Sequence, residues 1–210
     1  MARGMALDML PVMHRSHSEE GFSLIEMLVV VALVAILSSF AIPQVEQTLA
    51  GSRLRSQNDA VSGLVGLAKM RATALFTRAR VNANLGAGTY RLETYDKATA
   101  TWVTDGGVTT LPFGVSFGVA ALTAPPTDTQ LLLGQSDPCP VGLSSTVATA
   151  GTACITFNSR GIPIDSAGSP IGGHAFYLTD GAVVRGVTVT ATPLVRRWWS
   201  PAHTENWVQQ

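Results

Sequence analysis

The feature that most constrains this chain is a nearly uninterrupted apolar run over residues 24–42, in which Glu26 is the only charged side chain. Nineteen helical residues rise about 28 Å, at roughly 1.5 Å per residue. That length is close to the roughly 30 Å of hydrocarbon in a bilayer. The run is therefore predicted to form a helix that spans a membrane.

Glu26 is an ionisable group one turn into this apolar helix. An unpaired carboxylate in a membrane costs at least about 2.5 kcal/mol, so Glu26 needs a partner. The polar residues 14–20 give way to the apolar run at Gly21 and Phe22, and a junction of this kind can be cut. If Phe22 became the N-terminus, its own amine, or that of a neighbouring copy, would neutralise Glu26.

The six residues 21–26 resemble a known signal sequence. Gly21-Phe22-Ser23-Leu24-Ile25-Glu26 is similar to the class III signal of type IV pilins and type II secretion pseudopilins. The resemblance implies that a prepilin peptidase cleaves after Gly21 and that Phe22 is N-methylated. It also implies that Glu26 guides assembly with other pilin or pseudopilin subunits into a helical filament.

Three alternatives apply to the same stretch. A secretory signal peptide has a shorter apolar core, of about 7–15 residues, and its cleavage site follows that core. A plain transmembrane anchor explains the hydrophobicity but not Glu26 beside Gly21 and Phe22. A buried core helix does not need nineteen nearly uninterrupted apolar residues.

The chain has 210 residues, so about 168 remain beyond the apolar run, enough for one core of ordinary size. The predicted order is a leader (1–21), a transmembrane and assembly helix (22–42), an amphipathic continuation of that helix (43–80) and a periplasmic β-rich domain (81–210). Leaders of the resembled class are usually shorter, and a start at Met13 would leave nine residues before the cleavage site. Pro43 is expected to kink the helix without ending it.

The continuation of the helix carries an apolar stripe at spacings of three, four and seven, which is expected to pack on a sheet. The stripe consists of Leu54, Val61, Val65, Ala68, Ala72, Leu75 and Phe76. Its flanks hold six basic residues against the single acid Asp59, and these are Arg53, Arg55, Lys69, Arg71, Arg78 and Arg80. The flanks are either a solvated helix face or a surface that meets acidic partners in a filament.

Beyond Arg80 the period changes to two and turn residues multiply, which predicts antiparallel β-structure. The predicted strands are 81–85, 89–95, 101–103, 115–119, 130–133, 153–157, 175–178 and 183–190. Asp105-Gly106-Gly107 is among the predicted turns. Residues 120–151, rich in Thr, Ser, Pro and Gly, are predicted to form an irregular excursion.

The residues beyond the apolar run resemble a more specific family. A helix with Ser52-Arg53-Leu54-Arg55, then Phe157-Asn158-Ser159-Arg160-Gly161 in a β-domain and a closing basic strand, is similar to the GspH/FimT family of minor pseudopilins and pilins. The resemblance implies an α+β, pilin-like fold in which the helix packs on antiparallel sheets outside the inner membrane. Members of this family are low-abundance subunits, often near the filament tip.

The two cysteines, Cys139 and Cys154, lie in the same loop-rich region. An even count in an exported domain indicates one disulfide, and the alternative is two buried free thiols. Neither cysteine has a second Cys or a His at the spacing of a metal site, so no metal is predicted.

No enzyme chemistry is indicated. Two of the four histidines, His14 and His17, fall in the leader, and the chain has no HExxH, GxSxG or Walker-type loop. No catalytic residue and no cofactor are therefore predicted. The 14 basic residues balance the 14 acidic ones, so bulk charge predicts no polyanionic partner.

One local cluster is basic, although the chain as a whole is neutral. Arg196-Arg197-Trp198-Trp199 places two guanidinium groups beside two indoles, with Trp207 following. Arginines contact phosphates and aromatic faces stack on bases, so the cluster suits single-stranded nucleic acid. By resemblance, this favours a second function, a minor pilin that binds DNA at a filament tip during natural transformation. The alternative is a final strand whose tryptophans cover the core or contact the next subunit.

Overall fold

The computed structural model describes residues 21–143 and 147–210, without the side chains of residues 40–47. The chain divides into two compact units, Met1–Gln44 and Val45–Gln210. The predicted leader, apart from Gly21, lies outside the described residues, as do the side chains at the end of the predicted membrane span.

Helix α1 begins at Leu24 and ends at Ala74. It continues through Pro43, as predicted. Its end is earlier than the predicted Arg80, because Phe76 adopts a left-handed conformation (φ 48°). The Thr77 amide then donates to the Ala72 carbonyl and the Phe76 amide to the Thr73 carbonyl, which is the Schellman pattern that closes a helix.

This early end corrects two predictions. Leu75 and Phe76 are 51% and 74% exposed and do not belong to the buried stripe. Arg78 and Arg80 do not flank the helix, because Arg80 already lies in the first strand. The other five stripe residues are fully buried, as the spacing predicted, and they are Leu54, Val61, Val65, Ala68 and Ala72.

Twelve strands follow within the described residues. The first six are β1 (Ala79–Asn84), β2 (Thr89–Asp96), β3 (Thr101–Thr110), β4 (Ser116–Phe117), β5 (Cys139–Pro140) and β6 (Ala148–Thr149). The other six are β7 (Thr152–Phe157), β8 (Pro163–Ile164), β9 (His174–Thr179), β10 (Val183–Val189), β11 (Val195–Pro201) and β12 (Val208–Gln209). The first sheet has the order β3-β2-β1-β7-β8, the second has the order β12-β11-β10-β9-β4, and β5 pairs with β6. Every pairing is antiparallel, so the predicted α+β class is confirmed.

The main core lies between the second half of α1 and one face of each sheet. It joins the helix stripe to alternate residues of β1 and β7, such as Val81 and Ile155, and of β9 and β10, such as Phe176 and Val187. A second cluster, which includes Leu122, Tyr177 and Ala202, covers the opposite face of the second sheet. Both faces of that sheet are therefore buried, which an alternating pattern does not reveal.

Two sequence predictions within the β-region are wrong. Asp105-Gly106-Gly107 is not a turn between strands but lies inside β3. Arg91 pairs with Val108 while Glu93 pairs with Thr104, so β3 carries extra residues and bulges there, with Gly106 at φ 95°. Residues 130–133 form no strand: Leu131 and Leu132 are almost fully exposed, and the Gln130 side chain accepts a bond from the Tyr177 hydroxyl instead.

The excursion over residues 120–151 has two roles. Its first part covers the outer face of the second sheet, where Leu122 packs in one cluster with Tyr177, and Gln135 bonds the amide and the carbonyl of Tyr177 along the edge of β9. Its second part lies against the outer face of the first sheet, where the Pro140 carbonyl accepts a bond from Arg80. The segment predicted as irregular is thus a cover for both sheets.

Candidate processing site and basic surface

The predicted processing junction stands directly before the helix. Gly21, Phe22 and Ser23 are non-helical, and the Ser23 carbonyl accepts the first helical bond from the Met27 amide at 3.2 Å. Ser23 is therefore the N-cap and Glu26 the third helical residue. That spacing is also the residue pattern of a capping box, an alternative role for Glu26 that the sequence analysis missed.

Glu26 lies in the first turn of α1, where the helix dipole favours a negative charge. It is exposed and forms no ion pair with another residue of the described ranges. The carboxylate is thus available to a group outside the part of the chain that is described.

The apolar side chains around Glu26 are exposed on every side of the helix. All residues from Gly21 to Ser39 are exposed, including Phe22 at 77% and Leu24 at 83%. Contiguous apolar surface of this extent marks contact with a membrane or a protein. Within the described residues, none of the helices meets the combined length and apolarity of a membrane-spanning segment.

The C-terminal cluster is divided by its strand. Residues 196–199 lie in β11, where successive side chains point to opposite faces of the sheet. Arg196 and Trp198 share the outer face, while Arg197 and Trp199 share the face toward α1. The structure therefore does not bring the two guanidinium groups and two indoles together as one nucleic-acid surface.

On the outer face, Trp198 is 7% exposed and its indole N–H donates to the Thr188 hydroxyl at 2.8 Å. It lies opposite Gly186 in the β10–β11 register. A Cβ at Gly186 would lie 2.7 Å from the Tyr177 ring, so glycine is needed for the aromatic packing beside Trp198. Trp198 therefore serves packing, the alternative reading of the cluster.

On the inner face, Arg197 Nη1 lies 2.6 Å from Asp59 Oδ1 of α1. Trp199 pairs across the sheet with Arg185, which places their side chains next to each other. Both line a groove that also contains Arg55. We call this groove the basic groove. It contains Arg55 of α1, which the sequence analysis named, and Arg185 of β10, which it did not.

A buried ionic network lies on the outer face of the first sheet, and sequence reasoning missed it. Glu93 Oε2 lies 2.6 Å from Arg80 Nε, and the carboxylate also accepts bonds from Arg91 at 2.6 Å and Asn82 at 3.1 Å. The Arg80 guanidinium lies 3.9 Å from the centre of the Trp102 ring. Polar residues at alternate positions indicate an exposed strand face. Here Trp102 and the covering loop around Pro140 bury that face.

Cys139 and Cys154 are joined by a disulfide, with Cα atoms 4.9 Å apart. The bond links β5 to β7 and so fixes the covering loop to the first sheet. The Cys154 amide also donates to the Asp137 carbonyl.

Removal of this disulfide should lower the free energy of unfolding by about 3 kcal/mol, because a bridge across 15 positions restricts the unfolded chain. The measurement is urea-induced unfolding with and without dithiothreitol. The variant with Cys139→Ser and Cys154→Ser is the control and should not respond to the reductant. An equal response of both proteins would contradict the bridge.

His174 is buried and lines a small cavity together with Asp137 and Asp165. Burial lowers the pKa of His174, which keeps the ring neutral, although the two carboxylates oppose that effect. Among the residues that the structure describes, no group of three or more His, Cys, Asp or Glu side chains is placed to hold a metal ion.

Residues 16–42 match the family model of the prokaryotic N-terminal methylation motif. The matched segment contains the Gly21–Phe22 junction, Glu26 and the apolar run. The chain therefore has a prepilin-type N-terminal methylation motif at the start of a long helix, and antiparallel sheets follow that helix. The N-terminal methylation motif predicted from the hexapeptide is therefore confirmed.

Among solved structures, the chain is similar to the minor pseudopilin EpsH from the type II secretion system of Vibrio cholerae. One EpsH structure has a TM-score of 0.42 and 11% identity over 70% of this chain and 93% of that chain. A second has a TM-score of 0.36 and 10% identity over 75% and 96% of the two chains. No curated protein matches the chain.

Proposed function

We propose that the chain is a minor pilin or pseudopilin of the GspH/FimT type. Prepilin peptidase cleaves it between Gly21 and Phe22 and methylates the new amine, and the product assembles into a type II secretion pseudopilus or a type IV pilus. The observation that carries this proposal is the position of the junction. It lies inside the matched methylation motif, directly before a helix with Glu26 in its first turn.

The proposal places the apolar run in the inner membrane as a single span, with the C-terminal unit in the periplasm. The exposed apolar side chains of residues 24–39 support a membrane or subunit environment for this segment. The disulfide supports an oxidising compartment for the rest of the chain.

Glu26 has a specific role in this proposal. Cleavage creates a cationic amine at Phe22, which lies in the non-helical segment directly before α1 and four residues before Glu26. In a bundle of packed helices the amine of a neighbouring subunit is also within reach. Pairing with either amine offsets the cost of a carboxylate in an apolar environment, and pairing with the neighbour's amine also favours assembly over the isolated subunit.

Mass spectrometry of the membrane-bound protein tests the processing step. We expect a polypeptide that begins at Phe22 and carries one methyl group on its amine. In the same cells, Glu26→Ala should leave cleavage and membrane insertion unchanged but reduce recovery with sheared filaments several-fold, because the amine loses its partner. Glu26→Gln, which removes only the charge, should behave like Glu26→Ala.

Ser23→Ala is the matched control. If Glu26 acts only as the partner in a capping box, Ser23→Ala should impair assembly as strongly as Glu26→Ala. A protein that still begins upstream of Phe22 in cells with active peptidase would refute the proposed processing.

A further inference from the structure

The basic groove lies between α1 and strands β10 and β11. It has a volume of about 370 Å³, which is the size of a pocket for a small group or one or two side chains. Leu54 and Val183 contribute apolar atoms to its lining, and Trp199 contributes an indole. All of these residues belong to the unit Val45–Gln210.

The polar side of the groove is cationic. Arg55 and Arg185 line it, and neither forms an ion pair within the described residues. Arg185 Nη1 donates to Gln210 Oε1 at 2.8 Å, but its Nε is buried without a hydrogen-bond partner in the part of the chain described here. A buried donor of a charged group without an acceptor costs free energy that a bound anion would recover.

The electrostatic environment of Arg185 agrees with that geometry. Burial, together with the nearby charges of Arg55 and Arg197, lowers the pKa of Arg185, and Asp59 and Asp180 only partly offset this. Arg197 is already paired with Asp59. Of Arg55, Arg185 and Arg197, the two without an ion pair to any described residue are therefore the two that line the groove.

A carboxylate fits this groove better than a nucleic-acid backbone. Proteins that bind single strands track the backbone along a groove several nucleotides long. Here the volume is only about 370 Å³, which does not accommodate several successive nucleotides. A carboxylate beside an apolar side chain would instead use both the guanidinium groups and the apolar surface of Val183 and Trp199.

We propose that the basic groove binds an acidic segment with apolar flanking residues, contributed by a different subunit of the filament. This inference rests on the proposed function, since it takes the neighbour to be another pilin or pseudopilin. Arg55 and Arg185 hold the carboxylate by charge-assisted hydrogen bonds. Trp199 and Val183 contact the flanking apolar side chain.

The test uses the full chain in phosphatidylcholine nanodiscs, with empty nanodiscs as the blank. The probe is a fluorescent peptide of alternating glutamate and valine, and its matched partner has glutamine in place of glutamate. We expect the glutamate peptide to bind and the glutamine peptide to bind at least about tenfold more weakly. Arg55→Gln and Arg185→Gln should each weaken binding of the glutamate peptide about tenfold.

Arg53→Gln is the control variant, because Arg53 is exposed on the same helix but does not line the groove. It should change binding less than twofold, and all three variants should keep the thermal unfolding curve of the parent. Equal effects of Arg53→Gln and Arg55→Gln would show general charge attraction and overturn the proposal. So would equal binding of the two peptides.

Two further experiments test the other ligands that the groove could bind, a nucleic acid and a second copy of the chain. Tighter binding of a fluorescent oligothymidylate than of the peptide, lost on Arg185→Gln, would make the groove a nucleic-acid site and overturn the proposal. Self-association that Arg55→Gln abolishes would replace the proposed partner by a second copy. Cleavage at Gly21 should be unchanged in these variants, so failure of the groove and failure of the proposed processing are separate results.

Discussion

Glu93→Ala should lower the free energy of unfolding by about 3–5 kcal/mol, because it leaves a buried arginine without its counter-charge. The side chains of Arg80 and Glu93 are only 6% and 5% exposed, and their atoms are 2.6 Å apart. Asn82 and Arg91 lose an acceptor in the same substitution. The measurement is urea-induced unfolding followed by circular dichroism.

The control is Asp105→Ala, which breaks the more exposed Arg71–Asp105 pair. We expect that loss to be at most about 1 kcal/mol, because solvent screens exposed charges. The double variant Arg80→Met with Glu93→Leu should recover part of the loss, since the only charge left without its partner is that of Arg91, which is 33% exposed. Equal destabilisation by Glu93→Ala and Asp105→Ala would show that the network is not buried.

The same carboxylate predicts a dependence on pH. Burial by itself would raise the pKa of Glu93, but the charge of Arg80 and the hydrogen bonds from its neighbours lower it below the ordinary value. The stability that Glu93 contributes is therefore present above the unfolded-state pKa of about 4.3. It is lost as pH falls through the lower folded-state pKa. The unfolding free energy of Glu93→Ala should fall less steeply than that of the parent in this acidic range.

The second large effect is expected at Trp198. Trp198→Ala should cost about 3–5 kcal/mol, because it removes a buried indole and leaves a cavity. It also removes the donor that the Thr188 hydroxyl accepts from. The measurement is again urea-induced unfolding.

Trp199→Ala is the matched control one residue along the same strand. Trp199 lies on the opposite face, is only partly buried and lines the basic groove. Its loss should cost about 1 kcal/mol of stability and weaken binding of the glutamate peptide. If the two substitutions destabilise the protein equally, the assignment of Trp198 to the packed face and Trp199 to the groove is wrong.

The apolar stripe of α1 shows what the local sequence pattern can and cannot predict. The spacing of Leu54, Val61 and Val65 predicted their burial, because one face of a helix repeats every 3.6 residues whatever it packs on. The same pattern failed at Leu75 and Phe76. A left-handed residue at Phe76 ended the helix at Ala74, six residues before the predicted end at Arg80.

The C-terminal cluster shows a different limit. Sequence placed Arg196, Arg197, Trp198 and Trp199 side by side, yet a strand separates neighbours onto opposite faces. Conversely, Arg55 and Arg185 are 130 positions apart in the chain and line one groove. Adjacency along the chain and adjacency in space are independent once strands and a helix pack together.

The sequence by itself predicted the junction at Gly21 and Phe22 before an apolar helix, the place of Glu26 in that helix, the pairing of the two cysteines and the order of one helix followed by antiparallel strands. Each of these depends on residues close together in the chain or on their period. Only the tertiary structure decided that the polar face of the first sheet is a buried ionic network and that an irregular excursion covers both sheets. It also decided that Arg55, Arg185 and Trp199 form one basic groove, because burial and convergence depend on which distant segments pack against each other.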